Sequence, residues 1–575
     1  MFSVIKLDLK SFKILEVTMN GVVIMVISIV VLGGAYLLYG RYLAKKWGID
    51  PKAKTPAYEM EDGVDYVPTD KGVVFGHQFA SIAGAGPING PIQAAVFGWV
   101  PVLLWLLIGG VFFGAVQDFA SMYASVKNKG RTIGFIIEKY IGKVGKKLFL
   151  AFTWLFSILV VAAFADVVAK TFNGFSTAGE VVPANGAVAM TSMLFIVSAV
   201  ALGFIIKYAK FNTWVNTGIA IALLVLCIVV GLNVPIYFSL GTWHISIFLY
   251  IAIASIVPVW ALLQPRDYLN SYLLVAMIVA AVVGILVFNP SMNLNAFTGW
   301  KVGGNTLFPY LFVTIACGAV SGFHSLVSSG TASKQIKNEK DMLPVSFGAM
   351  LMESLLGVIA LITVGYLATK GSVPTNMTQP QVFANAIAIF LTKLAIPEDV
   401  SKTLITLAVS AFALTSLDSV ARVGRLAFQE FFIDSEKEEK DYNAVEKVCT
   451  NKYFATAITL VFAYVLAKVG YANIWPLFGS ANQLLSALAL IACAVFFKST
   501  KRQGWMLWVP MVIMLVVTLV ALTLTIVSKT QLVVGGTSAN VAGDCLQLVF
   551  AVALFALGVT VAFQGIRKMF QKEVA

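Results

Sequence analysis

Runs of about 20 mostly apolar residues recur along nearly the whole of this 575-residue chain, and short polar segments separate them. An α-helix needs about that length to cross the hydrocarbon core of a bilayer. Because 59% of the residues are hydrophobic and only 12% are charged, a soluble core could not bury them all. We therefore predict an all-α polytopic membrane protein with about 15 spans. The spans are predicted near residues 20–40, 72–91, 93–125, 148–170, 188–206, 212–232, 244–262, 269–288, 308–331, 343–368, 402–426, 453–469, 473–497, 505–527 and 541–566.

The net charge of +13 comes from basic residues that cluster in the short connections between apolar runs. Connections of this kind face the cytoplasm in membrane proteins, so we predict no nucleic-acid partner. The segment 127–147 contains the most basic residues. The later clusters are separated from it by even numbers of spans, so they lie on the same side of the membrane. Those clusters contain Lys207, Lys210, Arg266, Lys334, Lys337, Lys340, residues 422–452, Lys498, Lys501 and Arg502. Lys6, Lys10 and Lys13 would lie outside if the first span is real.

Five cysteines are scattered along the chain, four of them inside apolar runs, with no CxxC spacing. This usage predicts small core residues and neither a disulfide framework nor a metal site. The N-terminus has no short apolar core followed by a small-residue cleavage site, so we expect no removable signal peptide.

One predicted span has an unusual composition. Residues 76–91, GHQFASIAGAGPINGP, are too rich in glycine, proline and polar side chains for an ordinary helix. Irregular backbone at membrane depth is tolerated only where protein or a watery cavity satisfies its polar groups. Breaks of this kind mark binding sites in secondary transporters. The alternative is that glycines and serines simply let helices pack closely.

Weak internal matches indicate a duplication. Residues 166–170, DVVAK, resemble residues 418–422, DSVAR, and the motif that opens at Asn212 recurs at Asn473. The surroundings of His77 and His324 match less well. The first copy of five spans and the two inserted spans make an odd number of crossings, so the second copy of five spans would enter the membrane from the opposite side. This arrangement predicts a five-plus-five inverted-repeat transporter fold with additional helices. The predicted divisions are 1–71, 72–235 (first repeat), 236–307 (inserted pair and external loop), 308–500 (second repeat) and 501–575 (C-terminal pair).

The sequence resembles the carbon starvation protein A family of prokaryotic membrane transporters. The resemblance rests on residues 76–91, on GAVQDF at 114–119, on FPYLFVTIACGAVSGFHSLVSSGT at 308–331 and on SLDSVAR at 416–422. It implies a fold similar to that of amino-acid and cation symporters. It also implies a multi-pass protein of the prokaryotic cytoplasmic membrane that takes up short peptides or pyruvate when carbon is scarce.

Two broken helices, near 72–91 and 308–331, are expected to form the substrate site. A broken helix exposes backbone N–H groups at a positive dipole end, which attracts a carboxylate. The predicted substrate-binding residues are His77, Ser81, Gly84, Ala85, Gly86, His324, Ser325, Ser328 and Ser329. Each histidine is either a substrate or proton contact or a satisfied hydrogen-bond partner.

Acidic residues inside spans are costly, so Asp118, Asp166, Glu353 and Asp418 are candidates for ion coupling. With the hydroxyls near Asp418, the predicted ion-coupling residues are Asp118, Asp166, Thr415, Ser416, Asp418 and Ser419. The coupling ion is H⁺ or Na⁺, and no other cofactor is expected. Three of these acids also have a simpler interpretation: Asp118 could pair with Lys127 or Arg131, Asp166 could lie near the outer surface, and Asp418 could pair with Arg422.

Six other polar residues receive simple interpretations. His244 is expected at a membrane interface, and Gln264, Arg266 and Asp267 are expected in a solvated loop between the inserted spans. Asn482 and Gln483 are expected to bond to neighbouring helices.

We therefore predict a secondary active transporter that imports a small carboxylate-bearing nutrient, a short peptide or pyruvate, by ion-coupled alternating access. It is not expected to be an enzyme. The alternatives are a channel, a transporter-like sensor and, with less support, a membrane metalloenzyme, although motifs such as HExxH are missing from the sequence. Its expected partners are the substrate and the lipid bilayer.

Overall fold

A computed structural model of the protein describes residues 19–62, 66–176, 178–209, 211–257, 262–433, 442–502, 504–538 and 540–571. These residues form an almost entirely helical structure, as the apolar runs predict. The first ten helices are α1 Gly21–Trp47, α2 Lys71–Ile82, α3 Gly86–Ala94, α4 Trp99–Lys127, α5 Ile133–Tyr140, α6 Lys143–Phe172, α7 Pro183–Ala209, α8 Thr213–Asn233, α9 Leu240–Ile256 and α10 Leu263–Phe288. The other ten are α11 Leu307–Thr314, α12 Gly322–Gly330, α13 Glu339–Leu367, α14 Gln379–Leu391, α15 Glu398–Phe432, α16 Ala444–Thr450, α17 Lys452–Ala467, α18 Tyr471–Ser499, α19 Trp505–Val534 and α20 Val541–Phe570.

Most predicted spans are single long helices. Among the described residues, 11 helices are long and apolar enough to cross a membrane, and the α16–α17 pair, bent by 66°, makes 12. The remaining predicted spans are the shorter helix α9 and two pairs of short helices, α2–α3 and α11–α12. Apolar side chains such as Leu38 and Val225 are exposed on the outside of the bundle, where lipid would cover them.

Both unusual segments are broken helices, as predicted. Helix α2 ends at Ile82 and α3 begins at Gly86, while α11 ends at Thr314 and α12 begins at Gly322. The two breaks pack directly against each other. A Cβ on Gly86 would collide with Cys317, and a Cβ on Gly90 would lie 2.6 Å from the Thr314 carbonyl oxygen. Glycine is therefore required by the Cys317 side chain at Gly86 and by the close approach of two backbones at Gly90.

Several parts of the fold were not among the predicted spans. Helix α14 lies between predicted spans and packs against α15, α10 and α13. Lys301–Val302 and Asn305–Thr306 form a short antiparallel hairpin before α11. A single helical turn, Pro56–Glu59, also precedes α2. Short amphipathic segments such as α14 escape a search for long apolar runs.

The end of the bundle that carries residues 127–147, called the basic end below, also gathers other charged connections. Lys127 pairs with Glu339, Arg502 bonds to Tyr123, and Lys334 lies 5.2 Å from the centre of the Tyr66 ring. Asn20, where α1 begins, pairs instead with Ser291 at the opposite end. Which end faces the cytoplasm stays a prediction, and Lys6, Lys10, Lys13 and Lys210 lie outside the described residues.

The order of the helices agrees with the five-plus-five arrangement, because the first helix of each predicted repeat is broken. Helices α6 and α15, the third of each repeat, pack along each other through the centre of the molecule. The exact domain boundaries stay predictions.

Candidate functional site

The first break contacts α15. A Cβ on Gly84 would collide with the Oγ of Ser416 and would lie 3.2 Å from the Phe164 ring on α6. The Ser416 side chain is buried, and its Oγ makes no hydrogen bond to a described residue. Two predicted site residues that are distant in sequence, Gly84 and Ser416, therefore meet at the centre of the fold.

The second break is held by amide side chains. The Asn482 Oδ1 of α18 accepts a hydrogen bond from the Phe323 N–H at 3.1 Å. The Gln117 Nε2 of α4 donates to the Ser321 carbonyl at 2.7 Å, and Gln483 donates to the Phe312 carbonyl at 2.7 Å. The prediction that Asn482 and Gln483 bond to neighbouring helices is confirmed. These bonds satisfy backbone groups that the broken helix exposes.

A histidine on α12 lies between two acids. The His324 Nδ1 is 3.0 Å from the Asp118 Oδ2 on α4, and its Nε2 is 3.1 Å from the Glu353 Oε2 on α13. All three side chains are 0% exposed. We call these residues the buried triad. The alternative partner of Asp118 is wrong, because Lys127 pairs with Glu339 while Asp118 contacts His324.

The predicted serines divide between the two broken helices. Ser81 is buried in the last turn of α2, next to the first break. On α12, Ser325 and Ser329 donate to backbone carbonyls of their own helix, at 2.6 and 2.7 Å. Ser328 accepts a hydrogen bond from Gln78 of α2 at 2.8 Å. The α12 serines thus lie on the basic-end side of the second break, and Ser328 joins the two broken helices.

Asp418 pairs with Arg266, a residue that was predicted to lie in a solvated loop. Arg266 lies in the first turn of α10, is 1% exposed, and pairs with Asp418 on α15. Tyr250 of α9 donates to the Asp418 Oδ2 at 2.6 Å. The prediction of a solvated loop is wrong for Arg266 and for Asp267, which is 4% exposed. Burial is possible because the guanidinium finds a carboxylate and a phenol; the Gln264 side chain lies outside the described residues.

The alternative partner of Asp418 is also wrong. Arg422 donates to the carbonyls of Ala254 and Val257 at the end of α9, at 3.0 and 2.6 Å. Arg425 donates to the Ser255 carbonyl at 2.6 Å. Both arginines thus satisfy carbonyls at a helix C-terminus, where cations are favoured.

The predicted ion site on α15 does not converge on one point. Thr415 accepts a hydrogen bond from Asn270 of α10, on the side where Asp418 meets Arg266. Ser416 faces the first break, about 160° around the helix from Asp418 at 3.6 residues per turn. Ser419 lies between these directions and is half-buried. Carboxylate and hydroxyl groups therefore point to different neighbours.

Asp166 lies in a second cluster, toward the opposite end of α6. His244 Nε2 is 2.9 Å from its Oδ1, Lys170 Nζ is 2.8 Å from its Oδ2, and the Tyr471 N–H donates to it at 2.7 Å. Asp166 is 2% exposed and His244 is 5% exposed. His244, expected at a membrane interface, lies near the start of α9 and is buried against this carboxylate. His77 is separate: its Nδ1 is 3.7 Å from the Asp267 Oδ2.

Comparison with known proteins identifies the family. The family model described as "Carbon starvation protein CstA" matches residues 20–380 and 368–521. The chain belongs to the CstA family. A peptide transporter CstA of Bacillus subtilis is 34% identical, with 82% of this chain and 84% of the relative covered.

Two relatives from Escherichia coli have different printed activities. A peptide transporter CstA is 31% identical over 87% of this chain and 80% of the relative. A pyruvate/proton symporter, BtsT, is 32% identical over 86% of this chain and 80% of the relative. The CstA-family chain is therefore a multi-pass membrane transporter and not an enzyme.

Within the described part of this CstA-family chain, no group of three His, Cys, Asp or Glu side chains is placed to hold a metal ion. The arrangement can do two things chemically. The two breaks offer backbone groups and hydroxyls at the centre of the fold, and the buried triad offers groups that exchange protons.

Several polar residues near these sites were missed from sequence. They are Asn89, Tyr250, Arg266 and Asn270, while Glu353 was weighed as an acid but left out of the predicted site. Asn89 could have been recognised from the sequence as a candidate site residue, because it lies inside the Gly-Pro segment. The other residues could be recognised only once it was known which helices pack together.

Proposed function

We propose that the protein imports a small carboxylate-bearing nutrient, a short peptide or pyruvate, by proton-coupled alternating access. The observation that carries this proposal is the buried triad, because it attaches titratable groups directly to the second broken helix. The break at Gly84 and Gly86 is the proposed substrate cradle, and the protein is proposed to act in the cytoplasmic membrane during carbon starvation. We propose no cofactor besides the coupling ion.

Charge neutrality favours a proton at the triad. With imidazolium and two carboxylates, the triad would carry a net charge of −1 with no exposed surface. An uncompensated buried charge is expensive, so one further proton on Asp118 or Glu353 is favoured. Releasing that proton would make the position of His324, and with it α12, less favourable. Proton occupancy and the geometry of the second break are thus linked.

The carboxylate preference follows from the first break. Helix α3 begins at the centre of the fold, and its N-terminus has no side-chain cap. Its free N–H groups and positive dipole end favour an anionic group. Both names printed for the relatives, a peptide transporter and a pyruvate/proton symporter, describe substrates that carry a carboxylate.

Sodium coupling fits the geometry less well. Asp418 is occupied by Arg266, and Ser416 points away from it. A sodium site at the first break would therefore lack that carboxylate, although Na⁺ prefers oxygen ligands with charge.

The test uses purified protein in proteoliposomes. We expect uptake of radiolabelled pyruvate or a dialanine peptide that depends on an inward proton gradient and persists without sodium. His324→Gln and Asp118→Asn should lose gradient-driven accumulation but keep counterflow, in which the proton gradient has no role. Glu180→Gln, at an exposed acid, is the matched control and should behave as the native protein. Sodium-dependent uptake by native protein, or normal accumulation by both triad variants, would overturn proton coupling; unsaturable flux without counterflow would indicate a channel.

A further inference from the structure

Asn89 is a buried amide without a partner among the residues that the structure describes. It lies one turn into α3 and is 1% exposed, yet neither its Oδ1 nor its Nδ2 bonds to a described residue. Burying an amide without hydrogen bonds costs free energy, and such groups in native proteins call for an explanation. Asn482 shows the structural alternative, because its amide bonds to Phe323 and Ser321 of the second break. Asn89 has no such structural role.

The direction of Asn89 follows from its neighbours on α3. Gly86 and Gly90 face the second broken helix, where they contact Cys317 and Thr314. Pro91 lies near Gly357 of α13. At about 100° per residue, the Asn89 side chain leaves α3 roughly 60° from Gly86, roughly 100° from Gly90 and roughly 160° from Pro91. It therefore points away from α13, on the side that Ala85 shares at the break.

A second polar side chain lies on the Asn89 side of α3. Gln93 is one turn further along the same side of α3. Its Nε2 donates to the Tyr310 hydroxyl of α11 at 3.4 Å, and both side chains are half-buried. Ala85, Asn89 and Gln93 thus follow one another at four-residue spacing, from the first break to a partly exposed hydrogen-bonded pair.

We propose that Asn89 binds the substrate carboxylate through its amide N–H groups, one turn beyond the break. The inference rests on the proposed function and adds the side chain that selects the substrate. The amide gives a neutral donor beside the N-terminal N–H groups of α3, so it attracts an anion without the permanent charge of lysine. A neutral donor also lets a transported substrate leave again.

The experiment compares Asn89→Ala, Asn89→Asp and Asn233→Ala with the native protein. Asn233 is the matched control, because its amide bonds to the Val229 carbonyl on an exposed part of α8. Binding of pyruvate and dialanine is measured by calorimetry in detergent, and uptake is measured in proteoliposomes. Asn89→Ala should raise Kd and KM roughly 10-fold to 100-fold, the range for losing hydrogen bonds to a charged group. Asn233→Ala should leave both unchanged.

Two readouts separate a binding role from a structural one. Asn89→Ala should unfold at the same temperature as the native protein or higher, since it removes a buried unsatisfied group. Asn89→Asp places an acid near a helix N-terminus, where it is tolerated. It should weaken pyruvate binding far more than binding of the uncharged analogue pyruvamide, because only pyruvate is repelled.

The possible outcomes distinguish a failure of the Asn89 proposal from a failure of the proposed function. Native affinity in Asn89→Ala, or equal losses for pyruvate and pyruvamide in Asn89→Asp, would overturn the role of Asn89. Binding by the native protein without gradient-driven uptake would overturn the proposed function while the Asn89 comparison remains valid. If the native protein binds neither probe, both proposals are wrong.

Discussion

At the scale of single residues, the molecule contains charged side chains that are buried in pairs. Arg266 and Asp418 form an ion pair with almost no exposed surface, and Tyr250 bonds to both, at 2.7 and 2.6 Å. Removing one member of a buried pair leaves the other charge uncompensated, which costs more than the pair itself contributes. Asp418 therefore holds α15 to the inserted helices α9 and α10, whatever its part in transport.

Arg266→Met is expected to destabilise the protein by about 3–5 kcal/mol, because Asp418 would stay buried without a cation. The double variant Arg266→Met/Asp418→Leu should recover most of that loss. The control is Lys529→Met, which breaks the partly exposed pair with Asp544 and should cost about 1 kcal/mol or less. Unfolding temperature in detergent measures all three, and a double variant less stable than Arg266→Met would contradict the interpretation.

At the scale of helices, the inserted pair α9–α10 bonds to the third helix of each predicted repeat. His244 near the start of α9 contacts Asp166 on α6, and Arg266 near the start of α10 contacts Asp418 on α15. The two carboxylates occupy matching positions in the predicted duplication. The inserted helices thus join α6 near the opposite end and α15 nearer the basic end. This arrangement holds the third helices, while the broken helices pack against each other and against α4, α10, α13 and α18.

The contact between the broken helices gives a prediction at the same scale. Gly86→Ala would place its Cβ against the side chain of Cys317, so the breaks must separate. We expect a large loss of uptake and a lower unfolding temperature. Gly86→Ala/Cys317→Gly removes the colliding atoms and should restore part of both.

The control for this series is Gly33→Ala, because a Cβ there meets no atom within 4 Å. It should leave uptake unchanged and raise helix stability by up to about 1 kcal/mol. Full activity in the single variant Gly86→Ala would show that the two breaks do not need this close contact.

At the scale of the whole molecule, charge is distributed unevenly between the two ends. The segments around residues 127–147, Lys334–Lys340 and Lys498–Arg502 gather at the basic end, with Glu339 and Glu138 as partners. The opposite end carries loops such as 289–306 with few charges. This bias orients helical membrane proteins with the basic end in the cytoplasm.

The orientation can be measured by cysteine labelling in a variant whose five native cysteines are replaced by alanine. Lys147→Cys and Thr298→Cys introduce exposed thiols at the basic and opposite ends. A membrane-impermeant maleimide should label Thr298→Cys in intact cells, and Lys147→Cys only after permeabilisation. The unmodified cysteine-free chain is the control, and the reverse labelling pattern would contradict the predicted orientation.

Local patterns alone were enough for much of this description. Apolar run length determined the helical membrane fold, because a helix of that length crosses the hydrocarbon while satisfying its own backbone hydrogen bonds. Glycine and proline content located both broken helices, since those residues act on the backbone where they stand. Motifs at 76–91 and 308–331 also indicated the family.

The tertiary structure alone decided which charges meet. His324 is paired with Asp118 and Glu353, Asp418 with Arg266, and Asp166 with His244. Sequence proximity suggested Lys127 and Arg422 as partners, and both suggestions were wrong. A buried charge bonds to whatever lies opposite it, and in a helix bundle the opposite group comes from a distant helix whose rotation only packing determines.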